Sequence, residues 1–336
     1  MKDEARVDAR SRDLPAQLDV TSARPDRGGG AATPSFRLPD GASLGLPADP
    51  VSTVIGGQQV RWGLRTLVMG IVNVTPDSFS GDGLLASGGD PVSAAREQAL
   101  RMAGDGADIL DIGGESTRPG HERVSAAEEF RRVVPVIRAI HEAVPDLPLS
   151  VDTTRAEVAA AALDAGASLL NDIWGVTPDD GMLLLAAGRE APLVLMHNRA
   201  EARYRNVVAE VLAELERAAE RAVRAGVHPS SIILDPGFGF GKTPAQNLAL
   251  LRALPVLRSL GFPILVGTSR KSTLGRVLDL PAGERLEATL ATTALAIAGG
   301  ADIVRVHDVR ENARAARMAD AVVRGWTDLE TPGASA

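Results

Sequence analysis

Asp152, Asn171, Asp235 and Lys271 form one set of side chains in this sequence that could do chemistry together. Two carboxylates, an amide and an ammonium suit a flat heterocycle. The carboxylates meet an N–H or NH2 edge, and the lysine meets ring nitrogen or carbonyl acceptors. Arg118, Arg270, Arg305 and His307, with Asn73, form a second set. Guanidinium forks match phosphate or carboxylate oxygens, and an amide carbonyl can join a Mg2+ shell otherwise filled by water and phosphate. Each residue alone has a plainer reading. A strand-end aspartate caps the next helix about as often as it serves a ligand, and a lone loop arginine is usually a solvated charge. Their common position at the ends of β-rich runs sets them apart.

The chemistry these sets lack is equally informative. With no cysteine in the chain there is no thiol nucleophile, and no histidine–serine pairing is visible. His197 and His307 fall on separate strands, without zinc spacing. The stretch IILDPGFGFGKTPAQNLALL (232–251) nearly matches a P-loop, but Pro236 stands where that motif needs its first glycine. Proline offers no N–H to a phosphate, so nucleotide binding is not expected there. A heterocycle pocket beside an anion pocket predicts transfer by positioning and electrostatics, without a covalent enzyme intermediate.

The elements that must position these residues are short β-rich runs alternating with amphipathic helical stretches. Strands are expected at 67–74, 109–113, 149–152, 168–172, 192–196, 232–235, 263–267 and 303–307. Between them, stretches such as SAAEEFRRVVPVIRAIHEAV and VVAEVLAELERAAERAVRAG repeat apolar residues at helical spacing, with Pro135 an awkward interior position. Eight strand–helix units predict an α/β fold, a (β/α)8 TIM barrel, whose strand C-termini converge on one mouth. An open doubly wound sheet competes, but no G-x-G-x-x-G follows the first strand. Every one of the eight strand ends carries polar, glycine-rich or basic residues.

Residues 1–50, rich in Pro, Gly, Asp and Arg, are expected to be a disordered arm, 51–325 the barrel and 326–336 a flexible tail. The chain is 45% hydrophobic but 3% aromatic, so aliphatic side chains must fill the core. A net charge of −7 argues against nucleic acid as partner, and no apolar run reaches membrane-spanning length. With no secretory signal visible, a cytoplasmic protein is expected. Of 36 basic residues only Lys2, Lys242 and Lys271 are lysine, and the last two follow strands. Lysine and arginine are not interchangeable at a site, so the two are marked for function.

The segments MGIVNVTPDSFS (69–80), GADILDIGGESTRPG (106–120), SVDT (150–153), ND (171–172), LDPGFGFGK (234–242), GTSRKS (267–272) and RVHDV (305–309) resemble, in order, those of dihydropteroate synthases. The resemblance runs from about 65 to about 321. It implies a homodimeric TIM barrel that joins 6-hydroxymethyl-7,8-dihydropterin diphosphate to 4-aminobenzoate, releasing pyrophosphate, with Mg2+ as cofactor. By motif, Asp152, Asn171, Met196, Asp235, Gly267 and Lys271 would hold the pterin. Asn73 would ligate Mg2+ and, with Arg305 and His307, bind the diphosphate. Thr117, Arg118, Pro119, Phe240, Arg270 and Ser272 would surround the aminobenzoate, with Lys242 on that side.

Asp152, Lys271, Arg305 and His307 would then act on the reacting groups in a largely dissociative displacement. The chain departs from the family after the fifth strand, where MHNRAEARYRN replaces a Gly-Thr-Pro tract, and its first loop is longer and richer in glycine. Two alternatives share the pterin set: a pterin-dependent methyltransferase and a non-catalytic pterin-binding paralogue. The first would not need STRPG, SRKS and RVHDV; the second could lose Arg118, which is present.

Overall fold

The computed structural model describes residues 35–37, 43–45, 52–74, 90–115, 124–175, 177 and 179–326. Of the expected N-terminal arm it describes only β1 (Ser35–Arg37) and β2 (Ser43–Gly45), an antiparallel pair. The rest of the arm and residues 327–336 lie outside the described residues.

A second hairpin precedes the main sheet. Its strands β3 (Ser52–Ile55) and β4 (Gln58–Arg61) are antiparallel and joined by Gly56-Gly57. Both glycines have positive φ, +58° and +77°, the backbone that a tight two-residue hairpin requires.

The eight expected strands are all present: β5 (Leu67–Asn73), β6 (Ile109–Gly113), β7 (Leu149–Asp152), β8 (Leu169–Asp172), β9 (Leu193–Met196), β10 (Ile232–Asp235), β11 (Leu265–Val266) and β12 (Ile303–Val306). They pair in parallel in the order β10-β9-β8-β7-β6-β5-β12-β11. A parallel bridge between Leu234 and Ile264 brings β10 back to the start of β11, so the sheet closes into a barrel. The strand β11 is shorter than expected because Pro263 and Gly267 bound it.

Helices follow the strands. They are α1 (Pro91–Gly104), α2 (Ala126–Ala143), α3 (Ala156–Asp164), α4 (Gly181–Gly188), α5 (Val207–Arg224), α6 (Pro244–Arg252), α7 (Leu254–Leu257), α8 (Ser272–Leu278), α9 (Leu286–Ala298) and α10 (Val309–Val323). Pro135 lies inside α2 on its exposed side, where the carbonyl it leaves unpaired can face water. At α6 the glycine-rich turn ends in a capping box: Thr243 and Gln246 bond each other's backbone N–H, and Pro244 occupies the first turn. The near-P-loop is thus a strand, a turn and a capped helix start.

The two faces of each strand divide the core. Val68, Leu110, Val151, Leu170, Leu195, Leu234 and Val304 face the helices in one buried cluster. Leu67, Met69, Ile109, Leu169, Val194, Ile233, Leu265 and Ile303 face the barrel interior in another. Ile55 and Trp62 of the hairpin join this inner cluster, closing the end of the barrel where the strands begin. Trp62 Nε1 donates to Thr53 Oγ1 (2.7 Å), and Thr53 donates to the Ser230 carbonyl. The plug's cost of removal follows from its burial. Ile55→Ala, at a side chain with no exposed surface, is expected to lower stability by about 3 kcal/mol in urea unfolding while leaving the circular dichroism spectrum unchanged.

Candidate active site

Side chains alternate along a strand, so residues two apart share a face. Two positions beyond the apolar inner layer the inward residue becomes Asp111 after Ile109, Asn171 after Leu169, Met196 after Val194, Asp235 after Ile233, Gly267 after Leu265 and Arg305 after Ile303. On β7, where Ser150 pairs with Leu169, the same step gives Asp152. The register sets Asn73, Gly113, Asp152 and Asn171 side by side across four strands, and Met196 beside Asp235. One apolar layer therefore carries one polar layer directly above it.

Arg305 is the centre of that layer. Its Nε donates to Asp111 Oδ2 (2.6 Å) and its Nη2 to Asp152 Oδ2 (2.8 Å). Asn171 Nδ2 donates to the same Asp111 oxygen at 3.0 Å. Burial works against the Arg305 charge, yet Asp111 and Asp152 hold its pKa above the ordinary arginine value. Asp152, whose side chain is 9% exposed, is pushed upward by burial against the opposing pull of Arg305. Its charge is therefore poised.

Lys271 and Asp235 complete the polar layer. Lys271, in the turn before α8, donates to the Phe238 carbonyl (2.5 Å) and stands 3.9 Å from the centre of the Phe240 ring. Burial lowers its pKa, and Asp235 raises it in part. Asp235 accepts the Gly237 N–H (2.7 Å), and burial lifts its pKa while Lys271, Lys242 and Arg305 oppose that rise. A ligand that donates to these carboxylates and accepts from the lysine would replace the lost hydration of each.

At the rim, Arg270 has φ +56° and its guanidinium is bonded to Asp308 through Nε (3.1 Å) and Nη2 (2.5 Å). His307 Nδ1 lies 3.0 Å from Ser269 Oγ. Burial, then Arg270 and Arg305, push the His307 pKa down to about 3, so the imidazole is neutral and acts as a hydrogen-bonding group. Ser272, the first residue of α8, is exposed. Asn73 ends β5 half-buried, and its side chain makes no hydrogen bond among the described residues. Thr117, Arg118 and Pro119 lie outside the described residues.

Among the described residues no group of three His, Cys, Asp or Glu side chains could hold a metal ion by itself. Mg2+ typically keeps several waters and takes one or two protein oxygens together with substrate phosphates. An amide such as that of Asn73, at the end of β5, fits that donor set.

Asp111 is the functional-site residue that reading strand ends missed. It lies in mid-strand, fully buried, and its Oδ1 has no hydrogen-bond partner. A carboxylate enclosed in the apolar run ILDIGG (109–114) was the available signal. Lys242, expected on the aminobenzoate side, turns instead toward the loop after β9, with Nζ 3.1 Å from His197 Nδ1.

The neutral His307 has a consequence for acid stability. Its folded pKa of about 3 lies below the unfolded value near 6.5, so only the unfolded chain takes up this proton between those pH values. The contribution is present above pH 6.5 and is lost as pH falls toward 3. His307→Gln is expected to reduce the slope of unfolding free energy against pH, near pH 5, by about 1.4 kcal/mol per pH unit relative to the parent chain.

Residues 69–307 match the family model described as pterin binding enzyme. The dihydropteroate synthase of Clostridium beijerinckii is 50% identical over 271 residues, covering 80% of this chain and 99% of that protein. That of Bacillus subtilis is 52% identical over 259 residues, covering 77% and 89%. Among solved structures, the Xanthomonas albilineans dihydropteroate synthase with 4-aminobenzoic acid has a TM-score of 0.76 and 42% identity, over 81% of this chain and 98% of that one. The same organism's enzyme in complex with 7,8-dihydropteroate gives a TM-score of 0.73 and 42% identity, over the same shares. With this match spanning all eight barrel strands and the polar layer above them, the chain belongs to the pterin-binding enzyme family, among the dihydropteroate synthases, which are transferases.

Proposed function

We propose that the chain condenses 6-hydroxymethyl-7,8-dihydropterin diphosphate with 4-aminobenzoate, giving 7,8-dihydropteroate and pyrophosphate. The observation that carries this reading is the polar layer, where Asp152, Asn171, Asp235 and Lys271 surround a buried Arg305. The pterin lies on that layer, its N–H edge on the carboxylates and its acceptors on Lys271 and Asn171, with Met196 and Gly267 as walls. Complexes of relatives with 4-aminobenzoic acid and with 7,8-dihydropteroate support the substrate assignment.

The C–O bond between the pterin methylene and the diphosphate breaks first, its electron pair leaving with the diphosphate. Arg305 and the neutral His307 take up the charge growing on that group, one as a cation and one as a hydrogen-bond donor. Asp152 favours the methylene cation left behind, for which its burial beside the pterin is suited. The aminobenzoate nitrogen then forms the C–N bond and gives up a proton to solvent or to the departing pyrophosphate. Phe240, Arg270 and Ser272 orient this second substrate, with Thr117, Arg118 and Pro119 from the loop after β6. Mg2+, held by Asn73 and the diphosphate, would supply further charge neutralisation on the leaving group.

We further place the protein in the cytoplasm as a homodimer. Leu295 on α9 and Met318 and Val322 on α10 are 60%, 66% and 74% exposed, apolar side chains that a second copy would cover. No described helix is long and apolar enough to cross a membrane.

Product mass decides the reading. Purified protein with Mg2+, the dihydropterin diphosphate and 4-aminobenzoate is expected to yield dihydropteroate. Asp152→Asn is expected to lower kcat by about 100-fold or more with the fold intact. Pterin binding without product would instead indicate a non-catalytic pterin-binding protein.

A further inference from the structure

Lys242 has no place in that chemistry, yet it is one of the chain's three lysines and is held by four acceptors. Its ammonium lies 3.2 Å from the His197 carbonyl, 3.0 Å from that of Gly237, 2.9 Å from that of Phe240 and 3.1 Å from His197 Nδ1. An ammonium has three protons, so this cage engages all of them. On the far side of the imidazole, Nε2 lies 3.0 Å from Glu214 Oε2 of α5. Burial and Lys242 keep His197 neutral, so Nε2–H donates to the carboxylate and Nδ1 is left to accept from the lysine.

The surroundings make this a seam between two loops. Arg199 is bound to Glu214 and to Glu210 (2.8 Å), and its guanidinium lies 4.3 Å over the Tyr204 ring. Tyr204 Oη donates to the Gly241 carbonyl at 3.1 Å. A Cβ at Gly237 would lie 1.8 Å from the His197 carbonyl oxygen, and one at Gly241 would lie 2.0 Å from that of Arg199. The loop after β9, MHNRAEARYRN, thus packs backbone against backbone on the DPGFGFGK turn. From that seam Lys242 binds the carbonyls of Gly237 and Phe240. The same turn offers its Phe238 carbonyl and Phe240 ring to Lys271.

We propose that Lys242 is a positioning residue: it fixes the Gly237–Phe240 turn from the side of the β9 loop, so that the turn presents Phe240 and holds Lys271 in place for the second substrate. The inference rests on the aminobenzoate assignment above, but the ordering of the turn can be measured independently of activity. Arg199 and Tyr204 supply the second half of the seam.

Lys242→Met and Lys242→Gln, each in the full chain, test the proposal by two readouts. Hydrogen exchange at the Phe240 amide, which bonds the Gly237 carbonyl (3.1 Å), and at the Gly239 amide, which bonds Asn247 Oδ1 (2.8 Å), reports the turn directly. Lys242→Met is expected to speed exchange at both by about tenfold, and Lys242→Gln, which keeps two donors, to restore most of the protection. In steady state Lys242→Met should raise KM for 4-aminobenzoate by about tenfold while changing pterin diphosphate affinity by about twofold or less. Unchanged exchange overturns the proposal. So does an equal or larger loss of pterin affinity, which would make Lys242 a counter-charge for Asp235. Failure of either variant to fold makes the lysine structural and likewise overturns it. A parent chain that makes no dihydropteroate sinks the functional reading alone, leaving the exchange result to stand.

Discussion

A guanidinium held between two carboxylates inside the barrel is the constraint on which the rest of the structure depends. Arg305 could not be carried into the interior alone, since an unpaired buried ion costs several kcal/mol even after relaxation. Asp111 from β6 and Asp152 from β7 reach it across the barrel and together satisfy it. Strands distant in sequence must therefore be held in one register, because a slip of one residue would turn each of these side chains out toward the helices. The parallel ladder from β12 through β5 to β6 and β7 is what fixes that register.

The polar layer also explains the apolar plug below it. A barrel whose upper interior is charged needs a dry lower interior, or water would reach the ion cluster from beneath and screen it. Ile55 and Trp62 close that end. Burial has already moved the pKa values of Asp152, Asp235 and Lys271 toward their neutral forms. Such poised groups are less useful to folding than to binding, since their unmet hydrogen bonds are completed by the substrate.

Much of this was legible in the sequence, and the reasons for the misses are physical. The strand ends were readable because β-branched runs stop at Gly, Pro and charged residues, and the parity of each run decides which side chain faces inward. By the same parity Asp111 is two residues past the inward Ile109, but attention to strand ends passed over a carboxylate in mid-strand. The β3–β4 hairpin was not among the expected strands, because its two runs around Gly56-Gly57 are only four residues each. The target of Lys242 was not readable either. A flexible four-carbon stem can turn toward either side of its loop, and only the folded position of His197, some 45 residues earlier, supplies the acceptor.

The two body lysines divide the work of one turn according to their surroundings. Lys271 meets one carbonyl and one aromatic face, so its ammonium protons are not all taken by oxygen or nitrogen acceptors among the described residues. Lys242 meets four acceptors, and burial lowers its pKa to about 7. A side chain so engaged has no proton left for a ligand, but it can join backbone groups from two loops without the crowding that Arg would bring. Where Gly237 and Gly241 leave no room even for a Cβ, a slender ammonium is the cation that fits. Near neutral pH burial in that cage works against the charge of Lys242 while Asp235 supports it, which couples the order of the turn to the electrostatics around Asp235.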